Sequence, residues 1–136
     1  MGWIKAVLIL TGLVFLGFGI AFLVDPEALA KAARLRLAQP RAYAEIRAMY
    51  GGLEVGLGLF FLVASQRTRW FRAALGAQVF ALFGLAGGRL IGMIQLPAFD
   101  GLMMTFFVIE AIGGVIGLIT FRYAKEVLLN NNYRAP

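Results

Sequence analysis

The sequence predicts an all-α integral membrane protein: a four-helix bundle with a short interfacial helix between the first two spans. Three observations carry this. Hydrophobic residues make up 61% of the 136 and charged residues 15%, whereas soluble domains run near half and a quarter. The apolar residues gather into four runs close to the ~20 residues that a helix needs to cross hydrocarbon. Lipid cannot satisfy backbone N–H and C=O groups, so such runs must be helices. The length suits one domain, and residues 1–136 are expected to form a single transmembrane unit.

The first span is expected at residues 3–24, interrupted only by Lys5 near its start. A secretory signal peptide is the competing reading, but the apolar stretch exceeds the usual signal core. Asp25-Pro26-Glu27 comes next as a helix start: Asp caps, Pro takes the first turn and Glu favours the positive end. Residues 28–37 mix Leu and Ala with Lys31, Arg34 and Arg36. That composition suits a short helix at the membrane surface, and a solvated connecting loop is the alternative. Gln39-Pro40 breaks it, with a new helix expected near Arg41.

The second span is expected at 47–64 with Glu54 inside, and the third at 73–96 with Gln78 and Arg89 inside. Between them lies a short basic connection with Arg67, Arg69 and Arg72, where Trp70 and Phe71 suit an interfacial aromatic belt. A tight turn at 97–101 leads to the fourth span at 102–121, which contains Glu110. The Asn130-Asn131-Asn132 run is expected to end the last helix.

Four spans put both termini and the second connection on one side. That side carries Lys5, Arg67, Arg69, Arg72, Arg122, Lys125 and Arg134 against Glu126. The other carries Lys31, Arg34, Arg36, Arg41 and Arg47 against Asp25, Glu27, Glu45 and Asp100. Cation excess places both termini in the cytoplasm, in the inner (plasma) membrane of a cell. The net charge of +6 does not indicate nucleic acid, because the cations flank apolar runs and form no stripe with stacking aromatics. Cysteine and histidine are both absent. Thiolate and imidazole ligation of metals or haem is therefore excluded, and no cofactor is expected.

Glycines crowd the spans. Gly84, Gly88 and Gly92 form a row at spacing four on the third, Gly52 and Gly56 on the second, and Gly113 and Gly117 on the fourth. Small residues let membrane helices approach closely. They serve either packing within the bundle or an interface with a partner. The interface reading is strongest for Gly84, Gly88 and Gly92, because Gly88 sits about 100° around the helix from Arg89.

Ionised groups within spans are costly and tend to be paired. Glu54 lies seven residues past Arg47, Glu110 eight past Leu102, and Arg89 seven before Leu96. At the α-helical rise each is ~10–12 Å below the same surface. One Arg can serve two carboxylates through its forked donors. A Glu54–Arg89–Glu110 cluster is therefore expected in the outer-leaflet half, capped by Arg47, with Tyr50 and Gln95 in reach. It is either a structural lock or a polar pocket for a small ligand or lipid headgroup.

Several of these residues also occur as a pattern: Asp25-Pro26, Arg47-x-x-Tyr50-Gly51-Gly52, Gly88-Arg89-x-x-Gly92, Asp100-Gly101 and Glu110. In it the chain resembles, from about residue 3 to residue 121, a group of small bacterial four-helix membrane proteins known only as a domain of unknown function. That group is similar in architecture to DoxX-like proteins. The resemblance implies a four-span fold and no activity.

Three functions are compatible with this reading. The first is a non-enzymatic interaction or accessory subunit of a membrane assembly, or a homo-oligomer, with membrane lipids as its other partners. The second is a ligand- or headgroup-binding or transport protein using the charged cluster, although no pair of broken half-helices marks inverted repeats. The third, an enzyme, ranks last because no nucleophile–base pair or metal motif is present.

Overall fold

The structure is a computed structural model that describes residues 1–32, 36–95 and 101–132. Arg34, Arg134, Leu96 and the 97–100 part of the third connection, with Asp100, lie outside the described residues.

The described chain is all-α. Its elements are α1 (Gly2–Val24), α2 (Pro26–Ala32), α3 (Pro40–Ile46), a π-helical segment (Arg47–Gly52), α4 (Leu53–Ser65), a 3-10 turn (Thr68–Trp70), α5 (Phe71–Gln95) and α6 (Gly101–Asn132). Four helical stretches are long and apolar enough to cross a membrane: Gly2–Val24, Pro40–Ser65, Thr68–Gln95 and Gly101–Val127. Large apolar side chains lie open along them, with Phe80 81%, Val24 75% and Ile94 73% exposed. In hydrocarbon such exposure carries no penalty, and the chain is a multi-pass membrane protein.

The local signals act as expected at several joints. Ala28 N–H donates to Asp25 Oδ1 at 3.0 Å, so Asp25 caps α2 and Pro26 occupies its first position. Gln39 is extended at φ −140° and ψ 150°, and α3 begins at Pro40. The second helical run begins at Pro40, beside the start expected near Arg41, and continues to Ser65. The last helix runs on beyond the apolar span to Asn132, within the Asn130-Asn131-Asn132 run that was expected to end it.

The chain divides into two compact units, one of residues 8–66 and the other of residues 1–7 with 67–136.

In the 8–66 unit, α1 and α4 approach at backbone distance. A Cβ on Gly58 would lie 2.7 Å from Leu16 N and 2.8 Å from Gly12 O. A Cβ on Gly19 would lie 2.6 Å from Val55 N. Two glycines seven apart on each helix, Gly12 and Gly19 against Gly51 and Gly58, make this approach possible. Lipid is as apolar as a leucine side chain, so dispersion between closely packed backbones must hold such helices together. Phe15 packs edge-on against the buried Phe61, with ring centroids 5.6 Å apart. Among the described residues, a Cβ on Gly56 would meet nothing within 4 Å and one on Gly52 only Arg47 O at 3.8 Å.

In the other unit α5 runs antiparallel to α6. Gly113, Gly114 and Gly117 receive Leu82, Phe83 and Gln78 respectively. Gln78 is buried and its Nε2 donates to Gly113 O at 3.3 Å, while its Oε1 has no hydrogen-bond partner among the described residues. Near the far end of the same seam, Trp3 Nε1 donates to Thr120 Oγ1 at 3.1 Å. Ile4, Phe71, Ala74 and Leu75 are fully buried there.

Candidate functional site

The charged pair within the spans is the most developed polar feature. Arg89 lies six residues before the last described residue of α5, about 9 Å along the helix. Glu110 lies nine residues into α6, about 13 Å. The antiparallel seam brings the two together. Arg89 Nε donates to Glu110 Oε1 at 3.0 Å and to Oε2 at 2.9 Å, and Nη2 donates to Oε1 at 2.8 Å. This is a forked, charge-assisted contact. The side chains retain 28% exposure at Arg89 and 11% at Glu110. The guanidinium also stands over the Phe106 ring, 5.1 Å from its centroid, which holds its plane. Nη1 makes no hydrogen bond among the described residues.

The remaining residues expected in or near the charged cluster, apart from Gln95, belong to the 8–66 unit. Glu54 comes after the π-helical segment as the second residue of α4 and is partly exposed. Arg47, expected above the cluster, donates Nε to Leu23 O at 3.2 Å. Leu23 O is among the last carbonyls of α1, which have no partner within the helix, and a cation there also complements the helix dipole. Tyr50 packs its ring on Phe22, with centroids 5.3 Å apart. Gly51 touches Leu23 so closely that a Cβ would lie 2.6 Å from Leu23 Cδ2. Gln95 is exposed at the end of α5.

These contacts of Arg47, Tyr50 and Gly51 all come from one feature that sequence reasoning missed. Residues 47–52 wind as a π-helix, with Leu53 N–H bonded to Ala48 O five residues back. The wider turn adds a residue and rotates the remainder of the helix. Arg47, Tyr50 and Gly51 of this segment all meet the end of α1. The Gly51-Gly52 pair was the only available signal, since paired glycines mark helix irregularities.

Gly84, Gly88 and Gly92 differ from the other glycine rows. A Cβ on any of them would meet nothing within 4 Å. Glycine in an exposed helix weakens it relative to Ala, and no neighbour within the described chain compensates.

Among the described residues, no three His, Cys, Asp or Glu side chains stand close enough to share a metal ion. A cleft of about 360 Å³ beside α2 carries both signs of charge, from Glu27, Lys31 and Arg36.

The family model for a domain of unknown function, DUF4345, matches residues 3–121. No curated protein and no solved structure matches the chain.

Proposed function

The chain belongs to the DUF4345 family, and we propose on that premise that it is a non-enzymatic interaction subunit. It associates within the membrane plane, with a second copy or with a larger assembly, through the Gly84-Gly88-Gly92 face of α5. Both termini lie in the cytoplasm, and the membrane is the inner (plasma) membrane.

One contrast carries the reading. The glycines of α1, α4 and α6 that pack are consumed within the chain, while the longest row meets nothing among the described residues. Open glycine rows are where a second helix can approach closely enough to gain packing energy that lipid would not match. The test uses protein extracted from its host in mild detergent. The wild type is expected to migrate above monomer mass, and Gly88→Leu to shift to the smaller species. Gly56→Leu, on another open helix surface, serves as control. A wild type that is monomeric, or a Gly88→Leu variant that migrates unchanged, sinks the proposal.

A second reading rests on Arg89. Its spare Nη1 and residual exposure suit an acceptor oxygen of a small ligand or a lipid headgroup, with Glu110 orienting the guanidinium. Arg89→Lys keeps the charge opposite Glu110 and removes the fork. Under this reading the variant purifies with less bound phospholipid or ligand than the wild type, and equal retention argues against it.

A further inference from the structure

The end of α5 and α6 opposite the Arg89–Glu110 pair has a different electrostatic character. Trp3 bonds to Thr120, and the next residue, Phe121, carries the Arg72 guanidinium over its ring at 5.2 Å. These contacts gather the start of α1, the start of α5 and the end of the α6 span at one level. Lys5, Arg67, Arg69, Arg72, Arg122 and Lys125 all lie there, all exposed, within the unit of residues 1–7 and 67–136. None of the six is ion-paired among the described residues. Glu126 is the one acid among those near them in sequence. By contrast, the connection at residues 25–47 of the other unit interleaves acids with its cations and pairs Arg41 with Glu45 at 3.9 Å.

Membrane topology asks only for cations on one side. It does not ask that they be held. Here Arg72 lies on Phe121 and Arg69 on Trp70, at 5.2 and 5.9 Å from the ring centroids. A guanidinium held over an aromatic ring spends none of its N–H donors on a hydrogen bond to that ring's neighbours, and they stay available to a phosphate. Trp3 and Trp70, the chain's two tryptophans, flank the collar where interfacial aromatics sit at headgroup depth.

We infer that this collar is a binding site for the phosphodiester headgroups of anionic phospholipids, with Arg69, Arg72 and Arg122 as its principal donors. The occupant is lipid rather than soluble phosphate because the donors lie at the end of the spans, beside the interfacial tryptophans, where headgroup phosphates stand. The inference is independent of the α5 interface.

The two tryptophans report on it directly. Full-length protein is placed in mixed micelles containing equal amounts of phosphatidylglycerol and phosphatidylcholine. Bromine is carried on the acyl chains of one lipid or of the other. Tryptophan fluorescence is expected to be quenched more strongly when phosphatidylglycerol carries the bromine. Each uncompensated cation near the surface contributes about a fivefold preference. The preference therefore falls by about that factor for each of Arg69→Gln, Arg72→Gln and Arg122→Gln, and it weakens with salt. Arg41→Gln, which removes a cation already paired with Glu45 in the other unit, leaves it unchanged.

Equal quenching by the two brominated lipids in wild-type protein overturns the inference without reference to any variant. So does a preference that survives all three substitutions together, or one that Arg41→Gln removes equally. Loss of the preference in inorganic phosphate, but not in chloride of equal ionic strength, would assign the arginines to a soluble anion and overturn it as well.

Discussion

Replacing Glu110 with Leu is expected to destabilise the protein by about 2–3 kcal/mol, while replacing Arg89 and Glu110 together is expected to be nearly neutral. Removing one partner of a buried ion pair leaves a charge without compensation, at about 3–5 kcal/mol when burial is complete. Arg89 keeps 28% of its side-chain exposure, so the lower figure applies. In the Arg89→Leu/Glu110→Leu variant the charge and its desolvation leave together. The α5–α6 seam keeps its glycine contacts with Leu82, Phe83 and Gln78. Thermal or SDS-induced unfolding of the detergent-solubilised protein measures all four corners of the cycle. Additive losses, with the double variant as poor as the sum of the singles, would mean that the pair contributes no coupling. A neutral double variant that has also lost its function in the host would show that the pair serves more than register.

A methyl group added at Gly58 or Gly19 is expected to separate α1 from α4, at about 1–3 kcal/mol each. The atoms that it would meet are backbone: Leu16 N and Gly12 O for Gly58, Val55 N for Gly19. Backbone cannot rotate aside as a leucine tip can, so the helices themselves must shift. Both packed pairs along the seam would then lose contact, including the seat of Phe15 on Phe61. Gly56→Ala provides the comparison within the same helix. It meets nothing within 4 Å and should stabilise by up to about 0.5–1 kcal/mol through helix propensity. Unfolding midpoints in one detergent rank the three variants. Gly58→Ala as stable as Gly56→Ala would show that the close approach of α1 and α4 is not what holds this unit.

Both predictions depend on geometry that was unevenly legible in the sequence. The Arg89–Glu110 contact could be read from residue counts alone. A constant helical rise turns sequence distance into depth, and two charges of opposite sign at one depth in hydrocarbon find one another. The glycine contacts could be read only in part: Gly113 and Gly117, at spacing four, meet α5, but the α1–α4 contacts were not marked by that spacing. Spacing four drew attention to Gly52 and Gly56, but the residues in contact are Gly51 and Gly58, at spacing seven. A row of small residues shows that a close approach is possible without showing which side of the helix the neighbour occupies.

The four apolar helices, the capped start at Asp25-Pro26, the break at Gln39-Pro40 and the matched depth of Arg89 and Glu110 are all written in the order of the residues. Each depends on hydropathy, local backbone preference or length, which accumulate along the chain whatever its neighbours are. Rotation about the helix axes came from packing instead. Packing selects which glycines are consumed and which stay open, sets Arg47 and Tyr50 against the end of α1, and rests Arg72 on Phe121. A helix turns to suit the helix beside it. One added residue in the π-helical turn at 47–52 turns the rest of its helix by about 100°, a change that no count along the sequence can supply.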